Sequence, residues 1–560
     1  MRPSPTAFFI LLSLAFTGLF SSCTTGFYKK WADREVFGVL EKKASKVPNS
    51  GEHLMSITPP EPVNLDELEK NLKTEDFLGD RAFIEKGARK LSLAQSLDYA
   101  VHRNRTYLTE KETVYLTALD LTLVRNQFSP ILTAGGNGQL TNRRVETGVN
   151  QFITESTLTT TGAAGFSALQ RTGTRIATDL TTDFFKFITG DLRGVSDSSL
   201  AVTLTQPLMR GAGYLSASEP LTQSERDVLY SIRDFTQYRK TFAIETVGQY
   251  LRTLQAREAV RNTFLAYTSY ASTVENEQML ADTLRRPTKS YFFQVRQAQL
   301  SNESRWRQTI RAYEQTLDEF KIQLGLPVEE PLLLDTDELS ALEIIDPPGT
   351  LDEAMDTALV TRLDLWNARD ELEDAERHVR IAHQNILPRV DTTVAYDLTG
   401  DPDRSNLNVD GRRRKVTTGL DIDLNLNQTP SRNTLRAAQV AEQRARRNVE
   451  LQEEQVRRQI RADWRDLQLA RVQYDLAATT LSISEERVTL ESALFPEGRN
   501  TARDLVEAQR DLVDARNGII AAKITHTLAR LQLWADMGIL FIRKDGSWAA
   551  VMDNEKPKGS

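Results

Sequence analysis

The chain has little of the chemistry on which most metal proteins and disulfide-rich proteins depend. Its 560 residues include one cysteine, Cys23, and five histidines. A single cysteine excludes a disulfide within the chain and every zinc pattern built on cysteine pairs. His378 and His383 lie five residues apart, which places them on different faces of a helix. The sequence therefore predicts no metal site.

Signatures of catalysis and of nucleic-acid binding are also missing. No G-x-S-x-G occurs, and the pair Gly211 and Gly213 lacks the third glycine and the acidic partner of a dinucleotide fingerprint. The net charge is -7, and an acidic chain does not favour nucleic acid. We therefore expect a protein that is not an enzyme, needs no cofactor and has no nucleic-acid partner.

Long hydrophobic runs are confined to the beginning of the chain. Residues 7–20 are almost wholly apolar, which is the length of a signal-peptide core and too short for a membrane span. Small residues then lead to Cys23. This arrangement predicts a lipoprotein signal peptide over residues 1–22 and a covalent lipid on Cys23. Thr24, where an aspartate would favour the inner membrane, indicates the outer membrane. An ordinary signal peptide with a free cysteine is the alternative.

What the chain does have is an internal duplication. Residues 93–100 align with residues 351–358, an offset of 258, and Pro130 aligns with Pro388 at the same offset. Further on, residues 294–299 match residues 504–509. Duplicated units of this kind are typical of symmetric assemblies rather than of enzyme pockets.

The duplication predicts the domain organisation. After the signal peptide we expect an N-terminal linker over residues 23–90, with one short helix over residues 32–46. The first repeat is predicted over residues 91–330 and the second over residues 350–540. An inter-repeat linker, 331–349, and a C-terminal tail, 541–560, complete the chain.

Runs without proline and glycine locate the helices of each repeat, with Gly248 and Gly518 as single exceptions. The predicted helices are 88–129, 221–286 and 288–324 in repeat one, and 350–387, 431–495 and 499–537 in repeat two. The longest helix of each repeat would measure about 100 Å at 1.5 Å per residue. The long helix of repeat two carries an apolar residue at every seventh position, which predicts a coiled-coil seam: Ile460, Leu467, Tyr474, Leu481, Val488 and Phe495.

Between the helices, apolar and polar residues alternate as in strands. Residues 390–398 and 420–427 alternate in repeat two, and residues 199–205 alternate in repeat one. Repeat one has two further strand-like stretches, about 157–169 and 172–187. No segment after the signal peptide has the roughly 18 apolar residues of a spanning helix, so a membrane crossing would require a barrel. A half-buried soluble sheet shows the same alternation.

These features together resemble the TolC-type outer membrane efflux family, in its lipoprotein branch. The likeness covers roughly residues 91–540. It rests on the duplicated Pro130 and Pro388, on residues 204–211 at a strand end, and on residues 498–509. Residues 32–36 also resemble the start of the lipoprotein branch.

The resemblance implies an α+β membrane protein. Long antiparallel coiled-coil helices would form a periplasmic α-barrel, and the strands of three copies would share one transmembrane β-barrel. In the family each protomer usually gives four strands, so the two additional stretches leave the strand number open. The implied function is the outer-membrane duct of a tripartite efflux or type I secretion system. A periplasmic adaptor, an inner-membrane RND or ABC transporter and outer-membrane lipids would be its partners.

The same resemblance assigns roles to the turns after the long helices. Asp504 and Glu507 match positions of an acidic ring at the periplasmic gate, and the corresponding residue of repeat one is Gln294. Alternatively, both carboxylates are solvated charges paired to Arg503 or Arg510. The residues implied to dock the adaptor are Arg285, Arg286, Pro287, Phe495, Gly498 and Arg499.

Two further alternatives remain open from the sequence. A lipid-anchored periplasmic coiled-coil scaffold without a pore would show the same heptads. The basic run of residues 412–415 would lie in a loop between two strands, where it would contact anionic lipid or solvent.

Overall fold

The structure is a computed structural model. It describes residues 25–50, 57, 64–73, 75–148, 151–189, 194–284, 289–346, 349–400, 409–424, 426–495, 497 and 499–549. The predicted signal peptide and Cys23 lie outside the described residues. So do four of the predicted adaptor-docking residues: Arg285, Arg286, Pro287 and Gly498.

The helices follow the predicted order in both repeats. After α1 (Thr25–Ala44) and the short strand β1 (Arg89–Leu91), repeat one has α2 (Leu93–Arg103) and α3 (Arg105–Gln127). Four strands follow: β2 (Ile131–Gly148), β3 (Gln151–Leu169), β4 (Arg175–Thr189) and β5 (Gly194–Pro207). The repeat ends with α4 (Gly213–Ala217), the long α5 (Glu219–Leu284), and α6 (Lys289–Leu324).

Repeat two has the same plan with two strands instead of four. After β6 (Leu332–Leu334) and α7 (Asp337–Ser340) come α8 (Leu351–Thr361) and α9 (Leu363–Gln384). The strands β7 (Arg389–Gly400) and β8 (Val409–Asp423) precede the long α10 (Thr429–Leu494) and α11 (Ala502–Asp536). Two short strands, β9 (Phe541–Ile542) and β10 (Trp548–Ala549), end the described chain. The long helices α5 and α10 each have 66 residues.

The first helix predicted in each repeat is interrupted once, at equivalent positions. Asn104 and Arg362, 258 residues apart, both take an extended conformation between two helices. The helices α2 and α8 begin with capping boxes on Ser92 and Thr350, which are also 258 residues apart. The duplication is therefore preserved in the caps as well as in the helices, although the predicted single helices 88–129 and 350–387 were wrong.

A glycine in each repeat allows the chain to pass close to the helix break of that repeat. Gly325 (φ 73°) and Gly538 (φ 77°) have left-handed backbones just after α6 and α11. A Cβ at Gly325 would lie 2.4 Å from the carbonyl oxygen of Arg103, and one at Gly538 would lie 2.6 Å from Thr361 Oγ1. Both the backbone conformation and the close approach require glycine here.

Six strands form one antiparallel sheet in the order β2-β3-β4-β5-β7-β8. The alternating stretches predicted from the sequence all contribute to this sheet, including the two additional stretches of repeat one, which belong to β3 and β4. The basic run of residues 412–415, predicted to lie in a loop, lies inside β8 instead. The predicted α+β fold is thus confirmed, with long helices and one antiparallel sheet.

The chain forms two compact units, and each takes segments from both repeats. One unit comprises residues 1–40, 116–230 and 368–449 and contains the six-stranded sheet; the other comprises residues 41–115, 231–367 and 450–560. In the second unit, part of the predicted seam of α10 is buried. Ile460 and Leu467 pack with Ala358 of α8 and Leu533 of α11, so the heptad marks the inward face of this part of the helix.

The end of the segment predicted as an N-terminal linker packs against helices within the second unit. Glu85 is fully buried and accepts from Arg257 Nε at 2.7 Å and Nη2 at 2.8 Å, and from the Tyr313 hydroxyl at 2.9 Å. Next to it, β1 pairs in parallel with β6. A buried two-point ion pair of this kind fixes the segment in one position.

Residues near both ends of the described chain are attached to one buried arginine. Arg239 of α5 is 2% exposed and donates to the carbonyl oxygens of Asn49 at 2.9 Å and Ile542 at 3.0 Å. Burial lowers the pKa of Arg239. The carbonyl oxygens compensate part of the cost of burying the charge.

Among the described residues, every helix is too short or too polar to cross a membrane.

Candidate functional site

The turn between α10 and α11 contains the described docking residues Phe495 and Arg499, and the gate candidates Asp504 and Glu507 follow it at the start of α11. Asn500 closes this turn, because its side chain donates to the Glu491 carbonyl oxygen at 2.8 Å and to Glu491 Oε2 at 2.5 Å. The backbone N–H of Arg499 donates to the Leu494 carbonyl oxygen at 3.2 Å. The side chain of Arg499 forms an exposed ion pair with Glu497 at 3.3 Å.

Asp504 is part of the cap of α11. Its carboxylate accepts from the backbone N–H of Thr501 at 2.9 Å and from the Thr501 hydroxyl at 2.5 Å. The Thr501 hydroxyl in turn accepts from the Asp504 N–H at 3.3 Å. The hydrogen bonds from Thr501 lower the pKa of Asp504. The carboxylate is thus ionised and held at the positive end of the helix dipole.

Glu507 lies one helical turn further along and shares an arginine with Asp511. Arg487 of α10 lies 3.6 Å from Glu507 Oε1 and 2.7 Å from Asp511 Oδ2. The Glu507 side chain is 56% exposed. The partner of this carboxylate therefore comes from the neighbouring long helix, which the sequence did not indicate.

Phe495, predicted to dock an adaptor, packs inside the helical layer. Together with Phe292 it covers the buried pair Val274 and Val295. Gln294 is next to Val295 in α6 and is exposed. The equivalent positions of the two repeats thus carry an exposed amide on α6 and a capping carboxylate on α11.

Polar contacts fix the start of α11 against α5. The Tyr270 hydroxyl donates to the Val506 carbonyl oxygen at 2.8 Å, and the Gln509 side chain donates to Ser269 Oγ at 2.9 Å. Further along, the side chains of Asn262 and Asn517 are joined by a 2.8 Å hydrogen bond. Moving α11 at this end requires breaking directed hydrogen bonds as well as apolar contacts.

A second group of carboxylates, missed in the sequence, lies between α10 and α11. Asp463 is 6% exposed and its Oδ2 atom has no hydrogen-bond donor among the described residues. Burial, and then the charge of Asp536 and a hydrogen bond with it, raise the pKa of Asp463 to about 7. A proton shared by the two carboxylates would supply the missing donor. Within the described ranges, no three His, Cys, Asp or Glu side chains are grouped so as to hold a metal ion.

The sequence contained a signal for one of these features. The pattern of Thr501 and Asp504, three apart, is that of a capping box and indicates where α11 begins. Nothing comparable indicates that Asp463 meets Asp536, because the two residues lie on different helices, 73 positions apart.

Comparison with known proteins agrees with this architecture. Residues 354–538 match the family model described as Outer membrane efflux protein. No curated protein sequence matches the chain.

Solved structures extend the likeness to most of the chain. The CmeC outer membrane channel of Campylobacter jejuni has a TM-score of 0.58 and 15% identity, over 86% of this chain and 94% of that chain. The MtrE outer membrane channel of Neisseria gonorrhoeae, in its open state, has a TM-score of 0.57 and 15% identity, over 80% and 89%. The outer-membrane channel OprN has a TM-score of 0.57 and 13% identity, over 86% and 95%.

At these identities the likeness to the solved structures concerns the fold, and the family match concerns the second repeat. Both agree with the resemblance stated from the sequence, which is confirmed. Residues 354–538 match the outer membrane efflux protein family, and the chain has the fold of the solved outer-membrane channels.

Proposed function

We propose that this protein is the outer-membrane channel of a tripartite efflux or type I secretion system. It is a passive conduit, and an inner-membrane RND or ABC transporter supplies the energy through a periplasmic adaptor. The observation that carries the proposal is the family match over the second repeat, joined to a channel fold over most of the chain. The matched family and the solved structures are transport conduits.

An exposed apolar stripe on α10 supports association between copies of the chain, which in the proposed channel are three. Four residues spaced by seven face away from the buried seam, each more than half exposed: Leu469 (55%), Leu476 (63%), Ile483 (61%) and Leu490 (57%). A heptad stripe of this kind is a coiled-coil surface that lacks its partner. Neighbouring copies of the same chain would cover it.

The six-stranded sheet supports a membrane location for its part of the chain. Along β7 and β8 one face carries Val394, Tyr396 and Val416, and the other carries Asp397 and Lys415. This dyad pattern is that of transmembrane barrel strands, with apolar residues toward lipid and polar residues toward a wet lumen. A lipid on Cys23 would add an anchor in the same membrane.

Conductance of the purified protein in a planar lipid bilayer tests the proposal. A trimeric channel should give discrete steps that are small at rest. Heat-modifiable migration on gels would check the trimer independently. A folded protein that remains monomeric and gives no steps at any voltage would instead favour the lipid-anchored scaffold.

The proposed gate has its own test within the same assay. The double variant Asp504→Asn with Glu507→Gln removes two charges per copy and leaves an acceptor for the Thr501 N–H. We expect the reversal potential in a salt gradient to move away from cation selectivity, because carboxylates at a narrow pore raise the local cation concentration. Glu497→Gln, an exposed charge in the preceding turn, is the control. An unchanged reversal potential in the double variant would reject the gate assignment.

A further inference from the structure

The sheet has two strands more than the four per protomer that the resemblance implied. The additional strands are β3 and β4, and both belong to the same ladder as the other four. β3 pairs with β2 over most of its length and with β4 from Ser156 to Leu169. The two strands therefore do not form a separate hairpin: they are inserted between β2 and β5.

The alignment of paired residues across the sheet shows that the additional strands continue its apolar face and its polar face. One row of consecutive partners crosses all six strands and is apolar or aromatic in five of them: Leu132, Phe166, Thr178, Val202, Tyr396 and Val416. The next row points to the opposite face and contains the charged residues: Thr133, Gly165, Asp179, Ala201, Asp397 and Lys415. A hairpin outside the wall would not need to continue the apolar and the polar face of the other four strands.

The two edge strands carry exposed apolar residues on the same face. On β2, Leu132 is 80% exposed and Leu140 is 59% exposed; on β8, Val416 is 62% exposed and Leu420 is 60% exposed. Since six strands alternate in direction, β2 and β8 run antiparallel to each other, and an edge β2 can pair with the edge β8 of another copy. Six strands are too few to close a barrel alone, and open edges are not tolerated in lipid.

We propose that β3 and β4 are part of the membrane wall, so that three copies of the six-stranded sheet join through β2 and β8 into an eighteen-stranded barrel. This inference rests on the proposed function, which supplies the membrane and the three copies. With strands about 4.8 Å apart and tilted by about 40°, eighteen strands enclose a barrel about 36 Å across, against about 24 Å for twelve. The outer part of the channel therefore accepts bulkier solutes than a twelve-stranded barrel does.

Neighbouring residues of β3 give a direct test of the wall. Ala164 and Ala163 are both exposed and lie on opposite faces, and Ala164 is aligned through Leu180 with Leu200 of β5. Each of Ala164, Ala163 and Leu200 is replaced singly by cysteine, labelled with an environment-sensitive fluorophore and reconstituted in phosphatidylcholine vesicles. The unmodified chain, whose one cysteine is Cys23, gives the background.

The quenchers distinguish lipid from water. We expect nitroxide-labelled lipid to quench Ala164→Cys and Leu200→Cys at least twofold more than Ala163→Cys, and aqueous iodide to quench Ala163→Cys most. If Ala164→Cys and Ala163→Cys are both quenched by iodide while Leu200→Cys contacts lipid, the hairpin lies outside the wall and only this inference is overturned. If Leu200→Cys also contacts only water, the proposed membrane sheet is overturned as well.

Strand number can also be counted in the trimer. Electron cryomicroscopy of the full chain in lipid nanodiscs should show eighteen strands. Deletion of residues 151–189 leaves residues 149, 150 and 190–193 to connect β2 to β5 and should give twelve. Twelve strands in the unmodified trimer would overturn the proposal, and this count stands whether or not the deletion variant folds.

Discussion

Replacing Asp463 with asparagine should stabilise the protein above neutral pH and flatten its pH dependence. Asp463 and Asp536 are carboxylates at a buried contact of α10 and α11, and Asp463 Oδ2 has no donor among the described residues. The pKa of Asp463 is raised from 3.8 to about 7, first by burial and then by Asp536. In the unfolded chain the group returns to its ordinary pKa near 3.9.

The sign of the effect follows from proton binding. Between the unfolded and the folded pKa, the native state holds a proton at this site that the unfolded chain has lost. Stability from this group is therefore complete below about pH 4 and is lost as the pH rises through about 7. A rise of the pKa from 3.8 to about 7 corresponds to about 4 kcal/mol lost above neutral pH. Asparagine keeps the shape and can donate to Asp536 at every pH.

The assay is the thermal unfolding midpoint in one detergent at pH 5 and pH 8. Other charged groups act on the site: Asp466 further raises the pKa of Asp463, and Arg362 lies 3.6 Å from Asp536 Oδ1. Asp466→Asn is the matched control because Asp466 is exposed and lies one turn further along α10. We expect Asp463→Asn to raise the midpoint at pH 8 much more than at pH 5. Equal shifts at both pH values, or the same result from Asp466→Asn, would refute the shared-proton explanation.

Two further predictions concern the packing of the helices. Gly538→Ala should destabilise the protein by at least about 1–2 kcal/mol from the left-handed backbone alone, with the clash against Thr361 adding to this. Gly518→Ala, in open space within α11, should be neutral or stabilising by up to about 1 kcal/mol; thermal unfolding that ranks the two in the opposite order would contradict this account. Glu85→Gln leaves the buried Arg257 charge without its partner and should cost about 3–5 kcal/mol, whereas Glu314→Gln, whose partner Arg81 is mostly exposed, should cost less than about 1 kcal/mol. Similar losses from both variants would show that burial of the ion pair does not decide its contribution.

Much of the fold could be predicted from the sequence because short residue patterns mark most of the helices in each repeat. Helix α5 was predicted over 221–286 and found at Glu219–Leu284, and α6 was predicted over 288–324 and found at Lys289–Leu324. Proline and glycine mark these ends, and heptads mark the buried face. The breaks at Asn104 and Arg362 were missed because neither residue is a helix breaker. Asn104 is held by its contacts, since its side chain donates to the Gln323 carbonyl oxygen at 2.7 Å and caps α3 by accepting from Tyr107 N–H at 2.9 Å.

The order of the strands in the sheet was harder to predict than the existence of the strands. The stretches 157–169 and 172–187 were recognised as strand-like, but alternation within a strand does not tell which strands are neighbours. Pairing depends on hairpin connections and on agreement between faces, and both become evident only when Ala164 is seen between Ala134 and Leu180. The packed residues around Glu85 were likewise predicted as a linker, because the buried partner Arg257 is distant in sequence.

The candidate gate shows most directly what a single sequence leaves open. Asp504 and Glu507 are three apart and so share a helix face, as expected. Their surroundings differ all the same: Asp504 caps α11 through Thr501, whereas Glu507 faces Arg487 of α10. The carboxylate of Asp504 caps the helix whether or not it also lines a pore. Its presence alone therefore does not establish a pore function. Only a variant that keeps the cap and removes the charge separates the two, which is why asparagine, and not alanine, is the informative substitution at Asp504.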